Sequence, residues 1–172
     1  MSKLLQVGLI GAGRIGQVHA STIAYRVPAA QLAAVTDPVH SAAETVAARF
    51  RIPAIAASYQ AIIDDPAIDA VLICTPTPTH AEIIRAAARA GKAIFCEKPV
   101  ALTLEETDRA LEAVDNAGVK LQMGFNRRFD ANYARLRRAV AGGEIGQLQI
   151  VHIVSRDPAP PPVAYAAVSG GI

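Results

Sequence analysis

The stretch that decides the fold runs from Leu5 to Asp37 and reads LQVGLIGAGRIGQVHASTIAYRVPAAQLAAVTD. Its first apolar run, residues 5–10, leads into the glycine turn GAGRIG of residues 11–16, and a helical pattern then continues to about Arg26. A second apolar run leads to Asp37, which lies 21 residues after the last glycine of the turn. Strand, glycine turn, helix, strand and acid in this order are typical of a βαβ unit that binds a dinucleotide.

Each glycine of the turn has a separate physical role. Gly11 permits the tight turn out of the strand, Gly13 lets a pyrophosphate approach the backbone, and Gly16 lets the helix pack closely on the sheet. The N–H groups of the first helical turn, helped by the helix dipole, then hold the phosphate charge. The alternative is an ordinary βαβ unit whose turn is rich in glycine.

Asp37 predicts which dinucleotide binds. Its carboxylate can accept hydrogen bonds from the adenosine ribose hydroxyls, and its charge repels a 2′-phosphate. No Arg or Lys lies between Val35 and Glu44 to offset that charge. We therefore predict NAD, rather than NADP, as the cofactor.

Composition narrows the class of protein. The 172 residues are 52% hydrophobic and 19% charged, which predicts a globular chain of one domain, or one and a part. A net charge of +2 without a basic run argues against nucleic acid as a partner. No apolar stretch approaches the ~20 residues of a membrane span, and we recognise no secretion signal. Cys74 and Cys96 are expected to be buried free thiols in a reducing cytoplasm, and no spacing of His or Cys predicts a metal site.

Strands and helices alternate along residues 1–125, which predicts a Rossmann domain: a doubly wound, parallel α/β sheet with helices on both faces. Capping boxes at Thr79–Glu82 and Thr103–Glu106 predict the starts of two of these helices.

The pattern changes after residue 125. A helix is predicted at Asp130–Val140 and a strand at Gln147–Ser155, followed by an extended segment at residues 158–162 that contains four prolines. We interpret residues 126–172 as a connecting helix and the first strand of a second, α+β domain that is truncated here.

The carboxyl ends of the predicted strands carry the candidate chemistry, because ligands of open α/β sheets bind there. Strand order places Thr75, Lys98 and Arg127 around one crevice. Lys98 precedes a proline, which restricts its backbone, and its ammonium can stabilise an alkoxide that forms as hydride leaves. Glu97 is a candidate to orient this lysine. The alternative is an exposed Glu-Lys pair at a strand end.

Other polar residues near these strand ends have two interpretations each. His80 lies either beside the nicotinamide or, as a solvated or capping histidine, in the first turn of a helix. Arg127 and Arg128 are either ligands or solvated charges that flank a helix. His19, within the first helix, is interpreted as structural.

Several motifs together resemble the glucose–fructose oxidoreductase/inositol dehydrogenase/MocA family, and most of all its myo-inositol 2-dehydrogenase branch. The resemblance covers essentially the whole chain, and the triplet EKP is a hallmark of the family. The motifs occur in this order: GAGRIG (11–16) with VHA (18–20), CTPT (74–77), FCEKP (95–99), GFNRRFD (124–130) and SRDP (155–158).

The resemblance implies roles for individual residues. Lys98 matches the catalytic lysine that contacts the oxidised hydroxyl, and Arg127 matches a position near cofactor and substrate. Glu97 lies near the nicotinamide. The wall beside the nicotinamide is matched by Thr75, Pro76 and His80, and the remaining cofactor contacts by Gly11, Gly13, Arg14, Ile15, Gly16 and Asp37.

The activity implied is oxidation of a ring hydroxyl of myo-inositol, or of a related polyol or sugar, to a ketone with hydride transfer to NAD. Members of the family take their general base, a histidine oriented by an aspartate, from a second domain that also forms oligomer contacts. That pair lies just beyond a segment like Ser169–Ile172, so we expect this chain to hold the N-terminal part only. Three alternatives stay open: an NAD-binding module without turnover, a regulator or scaffold, and a dehydrogenase of scyllo-inositol or another sugar.

Overall fold

A computed structural model of the protein describes residues 3–156, 159–160 and 163. Contacts within the chain divide it into two compact units, Met1–Gly124 and Phe125–Ile172. This division falls one residue before the predicted boundary. Most of the predicted proline-rich segment, half of the SRDP motif and the end of the chain lie outside the described residues.

The first unit is built on a six-stranded sheet in which every strand pair is parallel. The order across the sheet is β3-β2-β1-β4-β5-β6, so the winding reverses between β1 and β4. This is the strand order of a dinucleotide-binding sheet, and it confirms the predicted fold class. The strands are β1 (Leu5–Ile10), β2 (Ala30–Thr36), β3 (Ala54–Ile55), β4 (Ala70–Ile73), β5 (Ala93–Cys96) and β6 (Leu121–Met123).

Helices connect the successive strands of this unit. Ser58 and Thr103 start two of them, because their hydroxyls accept hydrogen bonds from Ala61 N and Glu106 N, each at 3.2 Å. The predicted cap at Thr103 is thereby confirmed. The helices are α1 (Arg14–Arg26), α2 (His40–Phe50), α3 (Tyr59–Asp64), α4 (His80–Arg89) and α5 (Leu104–Ala117).

Strand β4 shows why the sheet is covered on both faces. Val71 and Ile73 pack in one buried cluster with residues of α3, α4 and α5, whereas Leu72 and Cys74 pack in a second cluster with α1 and α2. Successive residues of a strand point to opposite faces, so the two clusters lie on opposite sides of the sheet. The continuous apolar run of β4 follows from this double burial.

The second unit contains the predicted helix, α6 (Ala131–Ala141). Asp130 starts it by accepting hydrogen bonds from Asn132 N at 2.9 Å and Tyr133 N at 3.1 Å. A short 3₁₀ helix, Asn126–Phe129, precedes it. None of the residues of α6 is buried.

The predicted strand Gln147–Ser155 is wrong for this chain, because residues 147–156 form no strand. Ile150 is 87% exposed and Ile153 is 73% exposed. A strand must pair its N–H and C=O groups with a neighbouring strand, and none of the described residues pairs with this segment. The alternation of apolar residues favours a strand here, but the part of the chain that the structure describes offers no partner strand.

Across the described residues, the helices all fall short of the length and apolar character that crossing a bilayer demands.

Candidate cofactor site

A cleft of about 690 Å³ opens at the carboxyl ends of the strands, where the winding of the sheet reverses. Parallel α/β sheets bind their ligands at this position. One wall comes from the glycine turn and the residues after β2, and the opposite wall from the start of α3 and the loop after β4. The lining includes Gly11, Gly13, Asp37, Val39, Tyr59, Thr75, Pro76 and Glu82.

The backbone fixes the shape of the glycine turn. Gly11 has a φ of 101°, and a Cβ there would lie 2.7 Å from the backbone of Cys74. A Cβ on Gly16 would lie 2.1 Å from the Gly11 carbonyl oxygen. A side chain at either position would force the backbone to shift, so the absence of a Cβ lets α1 lie close to the turn.

Gly13 differs from its two neighbours, because a Cβ there would meet nothing within 4 Å. It is exposed and stands directly before α1, whose first residues are Arg14 and Ile15. No side chain caps this helix, and its first turn contains no acidic residue. Open space above an uncapped helix N-terminus suits a pyrophosphate group.

Asp37 belongs to the turn as much as to the cleft. Its Oδ2 accepts a hydrogen bond from Ala12 N at 2.7 Å, and its Oδ1 accepts one from Val39 N at 2.8 Å. A carboxylate offers about four lone-pair sites, so each oxygen can still accept one more hydrogen bond. The sequence did not predict this link between β2 and the glycine turn. The contact with a ribose stays a prediction.

The loop after β4 corrects the predicted capping box at Thr79. Thr79 itself has helical backbone angles, and its hydroxyl turns back to the Thr75 hydroxyl at 2.7 Å and the Pro76 carbonyl oxygen at 2.8 Å. Glu82, the other predicted member of the box, instead accepts a hydrogen bond from the Tyr59 hydroxyl. Thr75 and Pro76 therefore line the cleft in a loop held by Thr79.

The alternative interpretation of His80 as a solvated or capping histidine is wrong. His80 is 1% exposed, with Nδ1 2.7 Å from the Pro99 carbonyl oxygen and Nε2 2.8 Å from the Thr75 carbonyl oxygen. Because both ring nitrogens face carbonyl groups, no polar atom of the ring is left for a ligand. A cofactor contact by His80 stays a prediction.

Glu97 is held by His19 rather than by Lys98. His19 Nε2 lies 2.7 Å from Glu97 Oε1, and the histidine ring packs edge-on against Phe95 with 5.0 Å between ring centroids. Lys98 follows at the carboxyl end of β5 with an exposed side chain, and its peptide bond to Pro99 is cis. The Glu97 carboxylate contacts His19, so this contact does not orient the Lys98 side chain directly as predicted.

Arg127 lies in the second unit, within the 3₁₀ helix. Its guanidinium carbon is 5.1 Å from the centroid of the Tyr133 ring, a cation–π contact. A contact of Arg127 with substrate stays a prediction.

Sequence reasoning missed the pair of Tyr59 and Glu82, which joins α3 to α4 along the cleft. The hydrogen bond to Glu82 is the main reason why the pKa of Tyr59 is raised. Sequence reasoning also missed the contact of His19 with Glu97, because the two residues lie 78 positions apart in the sequence. No local pattern could have revealed either contact.

The two cysteines are buried free thiols, as predicted. Burial raises the pKa of both, that of Cys96 to about 12, and the charge of Glu97 adds to the effect. Cys74 packs behind the glycine turn, so its role is that of a small apolar residue.

Known proteins are similar to this chain in sequence and fold. Inositol 2-dehydrogenase of Rhizobium meliloti (strain 1021) is 47% identical over 98% of this chain and 50% of its own length. A crystal structure of a dehydrogenase from Thermotoga maritima matches with a TM-score of 0.93 and 42% identity, covering 97% of this chain and 50% of that one. A scyllo-inositol dehydrogenase from Lactobacillus casei, solved with NAD(H) and scyllo-inositol, matches with a TM-score of 0.80 and 32% identity over 84% of this chain and 43% of that one.

The chain thus spans about half the length of the curated relatives it matches. Residues 5–125 match the model of the oxidoreductase family with an NAD-binding Rossmann fold, GFO_IDH_MocA. The glycine turn, Asp37 and the strand order of the first unit agree with that description. The chain is therefore a member of the GFO_IDH_MocA oxidoreductase family and carries its NAD-binding Rossmann domain.

Proposed function

We propose that the protein is the cofactor-binding part of an NAD-dependent dehydrogenase that oxidises a ring hydroxyl of myo-inositol, or of a related polyol or sugar, to a ketone. One observation carries the proposal. Four neighbouring strands of the sheet, β2, β1, β4 and β5, each lead into one candidate feature of the site. In the same order, these features are Asp37, the glycine turn, Thr75 and Lys98. Three strand spacings place Asp37 and Lys98 about 14 Å apart along the sheet edge, a span that suits an extended dinucleotide.

The residues present fit NAD. Gly13 leaves its surroundings open for the pyrophosphate, and Asp37 keeps lone pairs for two ribose hydroxyls. Bound NAD would supply the hydride acceptor. The negative charge of Asp37 disfavours a second phosphate on the same ribose, so the site selects NAD over NADP.

Lys98 acts on the substrate oxygen in this proposal. Its ammonium donates a hydrogen bond to the hydroxyl and stabilises the negative charge that develops on that oxygen. An ammonium has three donors and no lone pair, so Lys98 cannot accept the hydroxyl proton while it is charged. A separate base must take that proton.

We infer that this base comes from the part of the protein that corresponds to the second half of the relatives. The relatives' names support an inositol as the substrate, since they include inositol 2-dehydrogenase and scyllo-inositol dehydrogenase. A substrate contact by Arg127 belongs to the same proposal. Homo-oligomerisation of the full-length form and a cytoplasmic location belong to the same proposal.

Cofactor binding and NADH formation, measured separately on the 172-residue chain, test the proposal. We expect NADH to bind more tightly than NADPH in a fluorescence titration. With myo-inositol and NAD, we expect NADH formation about 10²–10⁴-fold below that of a form that includes the base. A folded chain that binds neither nucleotide would contradict the proposal.

A second candidate function is that of an NAD-binding module without turnover. The observation in its favour is that the chain spans about half the length of its relatives. NADH binding without any NADH formation, in every form of the protein and with every inositol offered, would decide for the module.

A further inference from the structure

Lys98 stands between two residues that are each fixed by a histidine. Glu97, before it, meets the ring of His19, and Pro99, after it, meets the ring of His80. Lys98 itself is exposed, so its own packing does not fix its position. Whatever orders this lysine acts through its neighbours.

On the Pro99 side the histidine is buried, whereas Pro99 itself is exposed. His80 is 1% exposed at the start of α4 and joins the Pro99 carbonyl oxygen, at 2.7 Å, to the Thr75 carbonyl oxygen, at 2.8 Å. One of these contacts is a donated hydrogen bond in either tautomer, and both are when each ring nitrogen carries a hydrogen. One ring therefore connects the loops that follow β4 and β5.

The contact on the Glu97 side is partly buried. The His19 ring binds the carboxylate, with Nε2 2.7 Å from Oε1, and the same ring packs edge-on against Phe95. A Cβ on Gly124 would lie 3.0 Å from Oε1 of Glu97, so the backbone directly after β6 lies close to the same carboxylate. The side chains of His19 and Glu97 are only 24% and 15% exposed.

We propose that His19 and His80 are positioning residues that bracket Lys98, one through the Glu97 side chain and the other through the Pro99 carbonyl. This inference rests on the proposed function of Lys98. His19 lies on α1, the helix that the glycine turn begins, and His80 also holds the Thr75 loop. The bracket therefore ties the lysine to both elements that would flank the cofactor.

The lysine content of the chain makes the bracket measurable. Labelling with ¹⁵N-lysine gives one backbone amide signal for each lysine, and loss of a signal in the Lys98→Arg variant assigns that of Lys98. The sequence contains Lys3, Lys92, Lys98 and Lys120. All spectra are taken without cofactor, so the readout is independent of NAD binding and of turnover.

His19→Leu and His80→Leu fill the space of each ring but remove its hydrogen bonds. We expect both to displace the Lys98 signal by more than its linewidth and to reduce its intensity, while the signals of Lys3 and Lys120 stay. His19→Gln keeps an N–H that can donate to Glu97 and should return the Lys98 signal toward its original position. His40→Leu is the matched control, because His40 is exposed on α2, and should move none of the signals.

Two results would overturn the bracket. One is an unchanged Lys98 signal in folded His19→Leu and His80→Leu variants. The other is an equal displacement by Gln and Leu at position 19, which would mean that His19 only fills space. If His80→Leu does not fold, His80→Gln takes its place: its amide can donate to only one of the two loops, so it must displace the Lys98 signal in a folded protein.

Failure of the proposed function has a different signature. A chain that shows the bracket in these spectra but binds no NADH in titration contradicts the proposed function and leaves the positioning of Lys98 intact. A chain that binds NADH but shows no response of Lys98 to either histidine contradicts the bracket alone.

Discussion

The corner formed by the glycine turn and Asp37 and the loop that carries Lys98 are built in opposite ways. In the corner, the close contacts are made to backbone atoms: an added Cβ on Gly16 would collide with the Gly11 carbonyl oxygen, and the Asp37 carboxylate accepts a hydrogen bond from Ala12 N. At the loop, the lysine is exposed and the ordering contacts belong to side chains on either side of it. The corner therefore has no room for a side chain at Gly11 and Gly16, whereas the loop separates Lys98, the proposed catalytic residue, from the groups that hold the fold.

The largest effect is expected from the loss of the Lys98 side chain. In any form of the protein that produces NADH, Lys98→Ala should lower kcat about 10²–10³-fold, because the oxygen loses its charged hydrogen-bond donor. The unfolding free energy should change by less than about 0.5 kcal/mol, since the side chain is exposed.

Lys120→Ala is the control for Lys98→Ala, since it removes another exposed lysine at the start of β6. Its kcat and stability should both match the wild type. An unimpaired rate in Lys98→Ala would refute the assignment of Lys98 as the catalytic lysine.

The second effect tests the corner through two glycines. Gly16→Ala should lower the unfolding free energy by about 1–3 kcal/mol, because its Cβ would press on the Gly11 carbonyl oxygen. Gly13→Ala has open space around its Cβ and should leave stability unchanged. It should still weaken NADH about tenfold, if the pyrophosphate approaches there.

Denaturant unfolding and NADH titration of both variants separate the two expectations. If Gly13→Ala bound NADH as well as the wild type, the pyrophosphate would not pass over Gly13. If Gly16→Ala were as stable as the wild type, the close approach of α1 to the turn would be wrong.

The third effect concerns cofactor choice at the corner. Asp37→Ser should weaken NADH about tenfold and narrow its preference over NADPH, because the carboxylate that accepts the ribose hydroxyls and repels a phosphate is gone. Asp37→Asn is the matched control, since it keeps the size and one acceptor oxygen but loses the charge. The ratio of the two dissociation constants is the readout. A ratio unchanged in Asp37→Asn would show that charge does not set the preference.

The smallest effect concerns the side-chain pair in the wall of the cleft. The hydrogen bond to Glu82 raises the pKa of Tyr59 above its ordinary value of about 10. Because the folded-state pKa is the higher one, the bond's stabilisation is fully present below pH ~10 and is lost as the pH rises through the pKa of the folded protein. Glu82→Gln should lower this pKa toward the ordinary value and cost less than about 1 kcal/mol of stability.

An absorbance titration of the phenols measures this pKa, and the Tyr59→Phe variant assigns the signal. Tyr25→Phe is the matched control, because Tyr25 is 71% exposed and its removal should leave the difference between the wild type and Glu82→Gln unchanged. Should the Tyr59 titration be the same in both proteins, the pair would not exist in solution.

Patterns along the chain predicted most of the first unit, because its strands and helices show apolar runs or helical periodicity and are bounded by glycines or capping residues. The apolar runs became β1, β2, β4 and β5, and Thr103 began α5 as its capping box indicated. The same reasoning failed at Thr79, where the loop after β4 competes for the hydroxyl, and at residues 147–156, where no partner strand exists among the described residues.

The sequence alone determined the βαβ unit, the glycines of the turn, the acid after β2 and the family, because these depend on residue type and on short spacings. Only the tertiary structure decided that Asp37 closes the turn, that Glu82 binds Tyr59, and that His19 and His80 hold the two neighbours of Lys98. These contacts join residues 19 to 78 positions apart in the sequence. Such contacts depend on how strands line up in the sheet and on which side of it each helix packs, and neither leaves a local pattern in the chain.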